Sequence, residues 1–444
     1  MQENLNKTVT QQWISSPLNR FVSNAYLEAI LLFFATVLAL IFANSGLQNW
    51  YHAFWEHKFG FEIDGYFYLN KSLHHWINDG LMAIFFFVVG LELKREFIGG
   101  ELSNPRKAVL PVAAAIGGMI FPAAIYLIFN FDSDARSGWG IPMATDIAFA
   151  LGVLHLLGNK IPTSVKVFLT VLAIADDLGA VLVIAFFYTS EISMFNLGIG
   201  FLFLAVLLLA SRIGVRSATF YAVFGIGGVW LFFLMSGVHA TIAAVLIAFM
   251  IPARTLIDEN TFMAKVQKLL VEFKNHDVNN HALLENSQLQ TLNEIQKITV
   301  DAMTPLQRLE IKLHPLVSYI IIPIFAFANA GVTFSGSILD SLLSNVALGV
   351  IFGLIFGKFI GIVGVSSVLI KLKWVKFPTN MHFIHLIGVG FLASIGFTMS
   401  LFVTELAFAN DTNIKDAKIG IFFASIVGGL IGYFVLRNTK KLKL

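Results

Sequence analysis

The chain contains no cysteine and few charged residues. Without cysteine, disulfides, thiolate metal sites and cysteine nucleophiles are all excluded. Only 13% of the 444 residues are charged, whereas soluble globular domains carry about 25%. The net charge is +3, but the cations are spread over many connecting segments and form no basic patch, so we expect no nucleic-acid partner. The scarcity of charge argues against a soluble protein.

Apolar residues dominate the composition. They make up 57% of the chain, which includes 44 phenylalanines, and the mean hydropathy is +0.77. A helix that crosses a bilayer needs about 20 mostly apolar residues. We therefore predict an all-α polytopic membrane protein with about twelve transmembrane helices. The predicted spans cover residues 25–43, 75–93, 107–129, 139–158, 165–188, 195–211, 218–236, 238–253, 316–335, 346–371, 384–409 and 417–436.

The cations indicate an orientation. Twenty-four of the thirty lysines and arginines fall on one side of this arrangement, five fall on the other, and Lys358 lies inside the tenth span. Because positive residues favour the cytoplasmic side, both termini are predicted to be cytoplasmic. The domain prediction is a cytoplasmic lead-in at 1–24, a membrane domain at 25–436 and a basic cytoplasmic tail at 437–444.

Two polar segments interrupt the spans. Residues 46–73 alternate aromatic and polar residues around Asp64-Gly65, which predicts a small extracytoplasmic β-hairpin and, through it, a homodimer contact. Residues 254–315 mix acids, bases and leucines at helical spacing, which predicts one or two amphipathic cytoplasmic helices. This insertion is either a solvated connection or a regulatory lid.

Four ionisable residues lie near the centres of apolar spans. Asp176 and Asp177 are adjacent at the midpoint of 165–188, and Asp146 and Lys358 lie close to the midpoints of their spans. A carboxylate at that depth costs on the order of 3 kcal/mol even on lenient scales, so such residues are usually functional. We expect these side chains to pair with one another, to be protonated or to bind an ion.

Two spans are poor continuous helices. Pro142 lies inside the fourth span, and residues 393–400 form a small, polar run inside the eleventh. A break in hydrocarbon leaves backbone groups and partial helix-end charges that need partners. Asp146 and Lys358 are candidates to neutralise those ends. The alternative is a simple kink in each span.

Several long motifs resemble the NhaA family of bacterial sodium/proton antiporters. The resemblance covers about residues 25–436, apart from 254–305. It is carried by Pro142-Met143-Ala144-Thr145-Asp146-Ile147-Ala148-Phe149-Ala150-Leu151-Gly152, Leu172-Ala173-Ile174-Ala175-Asp176-Asp177-Leu178-Gly179-Ala180, Ser236-Gly237-Val238-His239-Ala240-Thr241, Pro323-Ile324-Phe325-Ala326-Phe327-Ala328-Asn329-Ala330-Gly331 and Gly396-Phe397-Thr398-Met399-Ser400.

The resemblance implies both architecture and activity. It implies inverted repeats with two broken helices that cross at mid-membrane. It also implies a multi-pass protein of the bacterial inner membrane that exports Na⁺ or Li⁺ in exchange for H⁺, electrogenically and with activation at alkaline pH. No cofactor is implied.

The resemblance also assigns roles to individual residues. Asp176 and Asp177 would bind sodium and protons in alternation. Thr145, Asp146, Lys358 and Gly396 would support them: Asp146 would balance helix N-termini, and Lys358 would balance C-termini and pair with Asp176 in the absence of an ion. The residues linked to pH sensing and a cytoplasmic ion funnel would be Glu92, Arg95, Glu96, Glu310 and His239; the alternative is that the first four are interfacial anchors and that His239 is a capping or packing residue.

The sequence departs from the family pattern at a few positions. Phe359 follows Lys358 where proline is expected, and Ser394 replaces a glycine. Ile311 stands where some members carry histidine, and Leu27-Glu28 replaces a glycine pair.

Other functions remain as alternatives. A sodium-coupled symporter of organic solutes could share the broken-helix core. An intramembrane aspartyl protease also needs two membrane aspartates, but the Gly-x-Gly-Asp run typical of such enzymes is absent and Lys358 has no place in that chemistry. An intramembrane zinc protease lacks its His-Glu-x-x-His motif here, and an open channel requires no paired titratable groups.

Overall fold

The computed structural model describes residues 26–60, 62–63, 67–68, 70–189, 192–275, 283–334 and 337–439. Among these residues, eight helices are long and apolar enough to cross a membrane, and up to eleven spans result if each of three bent helix pairs counts as one. The all-α polytopic membrane fold is therefore confirmed. The predicted count of about twelve is not fixed, because one further apolar helix has only eleven residues. The chain divides into two compact units.

The first unit comprises the described residues of Met1–Phe85, Glu96–Ser190 and Leu316–Leu444. Two of its spanning helices, Thr163–Phe187 and Asn345–Lys371, are the most buried of the eight, at 67% and 72%. Its elements, some of which continue into the second unit, are α1 (Tyr26–Ala43), α2 (Gln48–Glu56), β1 (Lys58–Phe59), β2 (Glu62–Ile63), β3 (Phe67–Tyr68), β4 (Lys71–Ser72), α3 (Leu73–Gly99), α4 (Pro105–Asn130), a 3₁₀ helix (Asp134–Met143), α5 (Ile147–Leu156), α6 (Thr163–Phe187), the end of α12 (Pro305–Asn329), α13 (Ile338–Leu342), α14 (Asn345–Lys371), α15 (Phe383–Leu392), α16 (Phe397–Ala407) and α17 (Asp411–Arg437).

The second unit comprises Phe86–Arg95 and the described residues of Glu191–Pro315. Its buried core includes Leu91, Leu207, Val229 and Phe233. The helices α10 and α11 occupy the polar insertion, so the predicted amphipathic helices are present. The elements are the middle of α3, α7 (Met194–Ile213), α8 (Ala218–Ser236), α9 (Ala240–Met250), α10 (Glu259–Asn275), α11 (Asn286–Ala302) and the first part of α12.

Local sequence explains where several helices begin. Helix α4 starts with Pro105, whose missing N–H costs nothing in the first turn, and the side chain of Asn104 accepts a hydrogen bond from the amide of Arg106 at 3.1 Å. Asn410 caps α17 in the same way through the amide of Thr412 at 2.9 Å. The beginning of α5 is capped by Asp146, which belongs to the site described below.

The predicted hairpin is present but shorter than residues 46–73. Strand β1 pairs antiparallel with β4, and β2 pairs with β3. Residues 48–56 instead form α2, because their aromatic residues repeat at helical spacing: Trp50 stacks on Phe54, and Tyr51 contacts Trp55. The Asp64-Gly65 turn lies outside the described residues, as do 1–24 and most of 437–444.

The ninth predicted span, 316–335, is shifted. Helix α12 begins at Pro305, which lies inside the predicted insertion, and it ends at Asn329. The helix therefore begins eleven residues before the predicted start of the span, and its polar first turns lie within the predicted insertion 254–315.

Candidate ion-binding site

The two predicted helix breaks are present and they meet. The 3₁₀ helix and α5 are bent by 40° across residues 144–146, and α15 and α16 are bent by 45° across residues 393–396. The amide of Asp146 donates to the carbonyl of Ile395 at 2.6 Å, and the hydroxyl of Ser400 donates to the carbonyl of Ile141 at 2.8 Å. The backbone groups freed at each break are thus partly satisfied by the other break.

The carboxylate of Asp146 caps two helices at once. Its Oδ1 accepts from the amide of Phe149 at 3.0 Å, which closes the first turn of α5. Its Oδ2 accepts from the amide of Thr398 at 3.1 Å and from the Thr398 hydroxyl at 2.5 Å, in the first turn of α16. A negative group is favourable at a helix N-terminus, and here it faces two of them.

Gly396 stands at the N-terminal end of α16, where the chains approach closely. A Cβ there would lie 2.2 Å from the Oγ of Ser400 and 3.1 Å from the carbonyl oxygen of Ala144. A side chain at this position would require the Ser400 hydroxyl to move and would press against the backbone of the other break.

Asp176 is held by a lysine and a hydroxyl. Lys358 on α14 forms an ion pair with Oδ2 of Asp176, and both side chains are fully buried. The hydroxyl of Thr145 lies 2.7 Å from the same oxygen and 2.9 Å from the carbonyl oxygen of Ala393. Among the described residues, no group donates a hydrogen bond to Oδ1 of Asp176. That oxygen is a buried acceptor that a cation or a proton could use.

Asp177 completes the buried charges. Its side chain is 1% exposed, and it interacts electrostatically with Lys358. Asp146 is 2% exposed. Of the four ionisable residues that the sequence analysis singled out, the structure therefore pairs Lys358 with Asp176 directly. Asp177 follows Asp176 in the chain and interacts electrostatically with Lys358, and Asp146 follows Thr145, whose hydroxyl bonds to Asp176.

Oxygen atoms are the only ligands that this group offers. Carboxylate, hydroxyl and carbonyl oxygens suit hard cations. No cluster of three or more His, Cys, Asp or Glu side chains with the arrangement of a metal site occurs in the described part of the chain.

Comparison with known proteins agrees with this chemistry. Residues 19–436 match the family described as Na⁺/H⁺ antiporter 1. The chain belongs to this family. It is similar to proteins named Na(+)/H(+) antiporter NhaA from Oleidesulfovibrio alaskensis, at 48% identity over 95% of this chain and 94% of the relative, and from Wolinella succinogenes, at 44% identity over 98% and 96%. A third, from Sulfurimonas denitrificans, is 46% identical over 96% of each chain. The resemblance inferred from the motifs is confirmed.

The departures from the pattern of the family have local explanations. Phe359 keeps helical backbone angles and stacks on Phe391, with ring centroids 4.6 Å apart. Helix α14 is therefore continuous beyond Lys358, although it widens into π-helical turns on both sides of that residue. Ile311 is 63% exposed, so the residue at this position is not part of the buried core.

The residues predicted for pH sensing fall into both units. In the second unit, Arg95 forms an ion pair with Glu310, and His314 approaches Glu92 at 3.9 Å. His239 stands at the position before α9, and its side chain makes no capping hydrogen bond to that helix.

Glu96 belongs to the first unit and lines a cavity of about 640 Å³. The cavity lies between the end of α3 and the starts of α4 and α6. Thr170 and Val171, six and five residues before Asp176, also line it, so the cavity approaches the buried site along α6. Its other polar lining residues include Glu101, Lys107, His155 and Lys166.

Some polar partners in the site were not predicted from the sequence. Thr398 and Ser400 lie in a motif from which only Gly396 was singled out, and both bond across the breaks. The carbonyl groups of Ala393 and Ile395 carry no side-chain signal at all. The small and polar residues at 393–400 indicate a functional segment, but they do not show which of its residues bond across the breaks.

Proposed function

We propose that the chain exchanges Na⁺ for H⁺ at Asp176 and Asp177. The observation that carries this proposal is the Lys358 ammonium, which is bound to a fully buried Asp176 beside a buried Asp177. A protein ammonium in that position stands where a transported cation would bind. The names of the relatives support sodium and protons as the two cations.

Competition for the same carboxylates would couple the two ions. Two adjacent carboxylates in a low-dielectric site cannot both ionise cheaply unless a cation accompanies them. Protons provide one solution, and Na⁺, bound to both carboxylates at once, provides the other. When Na⁺ binds, it displaces the protons and frees Asp176 from Lys358; when protons bind, Na⁺ leaves.

The broken helices would allow the site to face one side of the membrane at a time. Asp146 remains bound to the N-termini of α5 and α16, so its charge stabilises the crossing and stays out of the exchange. More than one proton per Na⁺ would make the exchange electrogenic and sensitive to membrane potential. Li⁺, with the same charge and oxygen preference, would be a second substrate.

Activity would rise at alkaline pH. A lower proton concentration leaves the aspartates free for Na⁺ more often, so the direction follows from competition at the site itself. Glu92, Arg95, Glu310 and His239 would adjust this response in the second unit. Glu96 would do so at the cavity, which would be the cytoplasmic entry for Na⁺.

The same proposal includes the setting of the protein. The chain would lie in the bacterial inner membrane with both termini in the cytoplasm, as the distribution of cations predicts. The strands between residues 58 and 72 would be extracytoplasmic and would form the contact of a homodimer.

The test is exchange by the purified protein in proteoliposomes. Addition of Na⁺ should dissipate a preset pH gradient, and the rate should increase between about pH 6 and 9 if protons compete for the site. Asp177→Asn should abolish the exchange, because an amide can neither release a proton nor balance the charge of Na⁺.

A control variant tests whether the loss of a carboxylate elsewhere in the chain also abolishes the exchange. Asp132 is exposed, so Asp132→Asn makes the same chemical change outside the site and should leave exchange unchanged. Exchange that persists in Asp177→Asn would contradict the proposed site. Absence of exchange in the unmodified protein at every pH would contradict the function.

A further inference from the structure

A second buried lysine–carboxylate pair lies outside the site described above. Lys418 on α17 and Glu405 on α16 form an ion pair with 2.7 Å between Nζ and Oε1, and their side chains are 11% and 13% exposed. Both residues belong to the first unit. Neither residue forms a contact described for the Asp176–Asp177 site.

The pair lies at the opposite end of the unit from the Glu96 cavity. Glu405 is near the end of α16 and Lys418 is near the start of α17, close to His74 in the first turn of α3. Glu96 is on the same helix as His74 but 22 residues further along, which corresponds to about 33 Å. That distance matches the hydrocarbon thickness of a bilayer, about 30 Å. Because α3 is one of the helices long and apolar enough to cross a membrane, we expect the cavity and the ion pair to lie towards opposite faces of it.

Buried amides surround this end of the unit. His74 bonds through Nε2 to Oδ1 of Asn329 at 3.0 Å and interacts electrostatically with both Glu405 and Lys418. The Asn329 amide group donates to Oδ1 of Asn78 at 3.0 Å. Asn329 is fully buried and Asn78 is 8% exposed, so polar groups continue inwards from the ion pair.

Hydroxyl groups connect the pair with the helix break. Thr398, Ser400 and Thr404 on α16 are all buried, and Thr404 donates to the carbonyl of Ser400 at 2.8 Å. Glu405 follows directly. Nine residues separate it from Gly396, or about 13 Å along the helix. Helix α16 thus carries buried polar groups from the break to the ion pair.

The ion pair between Glu405 and Lys418 is not expected to contribute much to the stability of the fold. Replacing a buried ion pair by apolar residues is often neutral or stabilising, because the desolvation of two charges offsets their attraction. The chemistry instead repeats that of Lys358 and Asp176, where an ammonium group stands on a buried carboxylate in the position of a cation.

We propose that Glu405 is a second cation site, at which a transported monovalent cation displaces Lys418 as it passes between the Asp176–Asp177 site and the extracytoplasmic side. This inference rests on the proposed exchange and on the proposed orientation. Lys418 keeps the carboxylate neutralised between passages.

Two variants of the pair should have opposite effects. The variant Glu405→Gln/Lys418→Gln leaves no charge unpaired but removes the carboxylate that would bind the cation. The apparent KM for Na⁺ presented at the extracytoplasmic face should therefore rise about tenfold. In Lys418→Gln alone, the competing ammonium is lost, so that KM should fall. The KM at the cytoplasmic face should not change in either variant. Right-side-out and everted membrane vesicles present the two faces separately.

The control variant makes the same change of charge at other positions, both on α17. Asp411→Asn/Lys415→Gln removes one acid and one lysine from the start of the same helix and should leave both KM values unchanged. Equal KM values for the double variant of the pair and the unmodified protein on both faces would overturn the proposal, as would an increase in Lys418→Gln.

A binding measurement separates this inference from the exchange itself. In an Asp177→Asn background, which disables the central site, Lys418→Gln should gain a Na⁺-dependent increase in Tm of about 3 °C relative to choline. Glu405→Gln/Lys418→Gln in the same background should show no such increase. No Na⁺-dependent difference between the two would overturn the second site even if exchange is established, and a difference would support it even if exchange is not.

Discussion

Ser394 and Gly428 are matched across the interface of α15 and α17. The Ser394 hydroxyl donates to the carbonyl of Phe391 at 2.5 Å, and it occupies the space beside Gly428. A Cβ on Gly428 would lie 1.7 Å from that hydroxyl oxygen and 3.0 Å from the Ser394 Cβ. The serine that replaces a glycine of the family pattern is therefore accommodated by a glycine on another helix.

Gly428→Ala should destabilise the protein by about 1–3 kcal/mol, because the new methyl group overpacks the interface. Ser394→Gly should remove most of that cost when the two changes are combined. Thermal unfolding in detergent, followed by intrinsic fluorescence, measures both. Gly198→Ala is the control: nothing lies within 4 Å of its added Cβ, so it should not destabilise. An equal loss in the single and combined variants would contradict the steric explanation.

At the scale of single elements, the helix breaks depend on one shared cap. Three donors, the amides of Phe149 and Thr398 and the Thr398 hydroxyl, converge on the Asp146 carboxylate. The bonds from Thr398 are buried and the bond from Phe149 is partly buried, and the loss of the acceptor removes the partner of all three donors. The cap thus stabilises both α5 and α16 and the contact between them.

Asp146→Ala should lower the free energy of unfolding by about 3 kcal/mol, since the Thr398 amide and hydroxyl and the Phe149 amide lose their acceptor. Ser344 is the matched control, because it caps α14 through a single bond to the amide of Ala347 at 3.2 Å. Ser344→Ala should cost only about 1 kcal/mol. Thermal unfolding of the two variants gives the comparison. If Asp146→Ala were no more costly than Ser344→Ala, the double cap would not be important for stability.

Local composition predicted the breaks but not their partners. Pro142 and the small residues at 393–400 weaken a helix wherever they occur, so the two bent segments could be located from the sequence. The 3₁₀ geometry of Asp134–Met143 could not, since the Tyr188 hydroxyl holds it by donating to the carbonyl of Ser137 at 2.6 Å from 51 residues away. The pairing of Lys358 with Asp176 rather than Asp177 also depends on helix packing that no local pattern encodes.

At the scale of the whole molecule, hydropathy predicted the positions of the spans more reliably than their number. Each predicted span corresponds to a helix or to a bent pair, but α9 has only eleven residues and is about 16 Å long. The hydrocarbon core of a bilayer is about 30 Å thick, so α9 reaches across it only with the extended residues on either side. If α9 does not cross the membrane, all residues after it lie on the opposite side from the one predicted.

The absence of native cysteine allows a direct test of this topology, because a single introduced thiol reports alone. Ser103 and Thr299 are exposed and are predicted to be cytoplasmic, whereas exposed Ser133 and Thr412 are predicted to be extracytoplasmic. A membrane-impermeant maleimide should label Ser103→Cys and Thr299→Cys only in everted vesicles, and Ser133→Cys and Thr412→Cys only in right-side-out vesicles. Six crossings separate residues 103 and 299 if α9 is counted. Should α9 fail to cross, Thr299→Cys would be labelled together with Ser133→Cys, and the second half of the chain would have the opposite orientation.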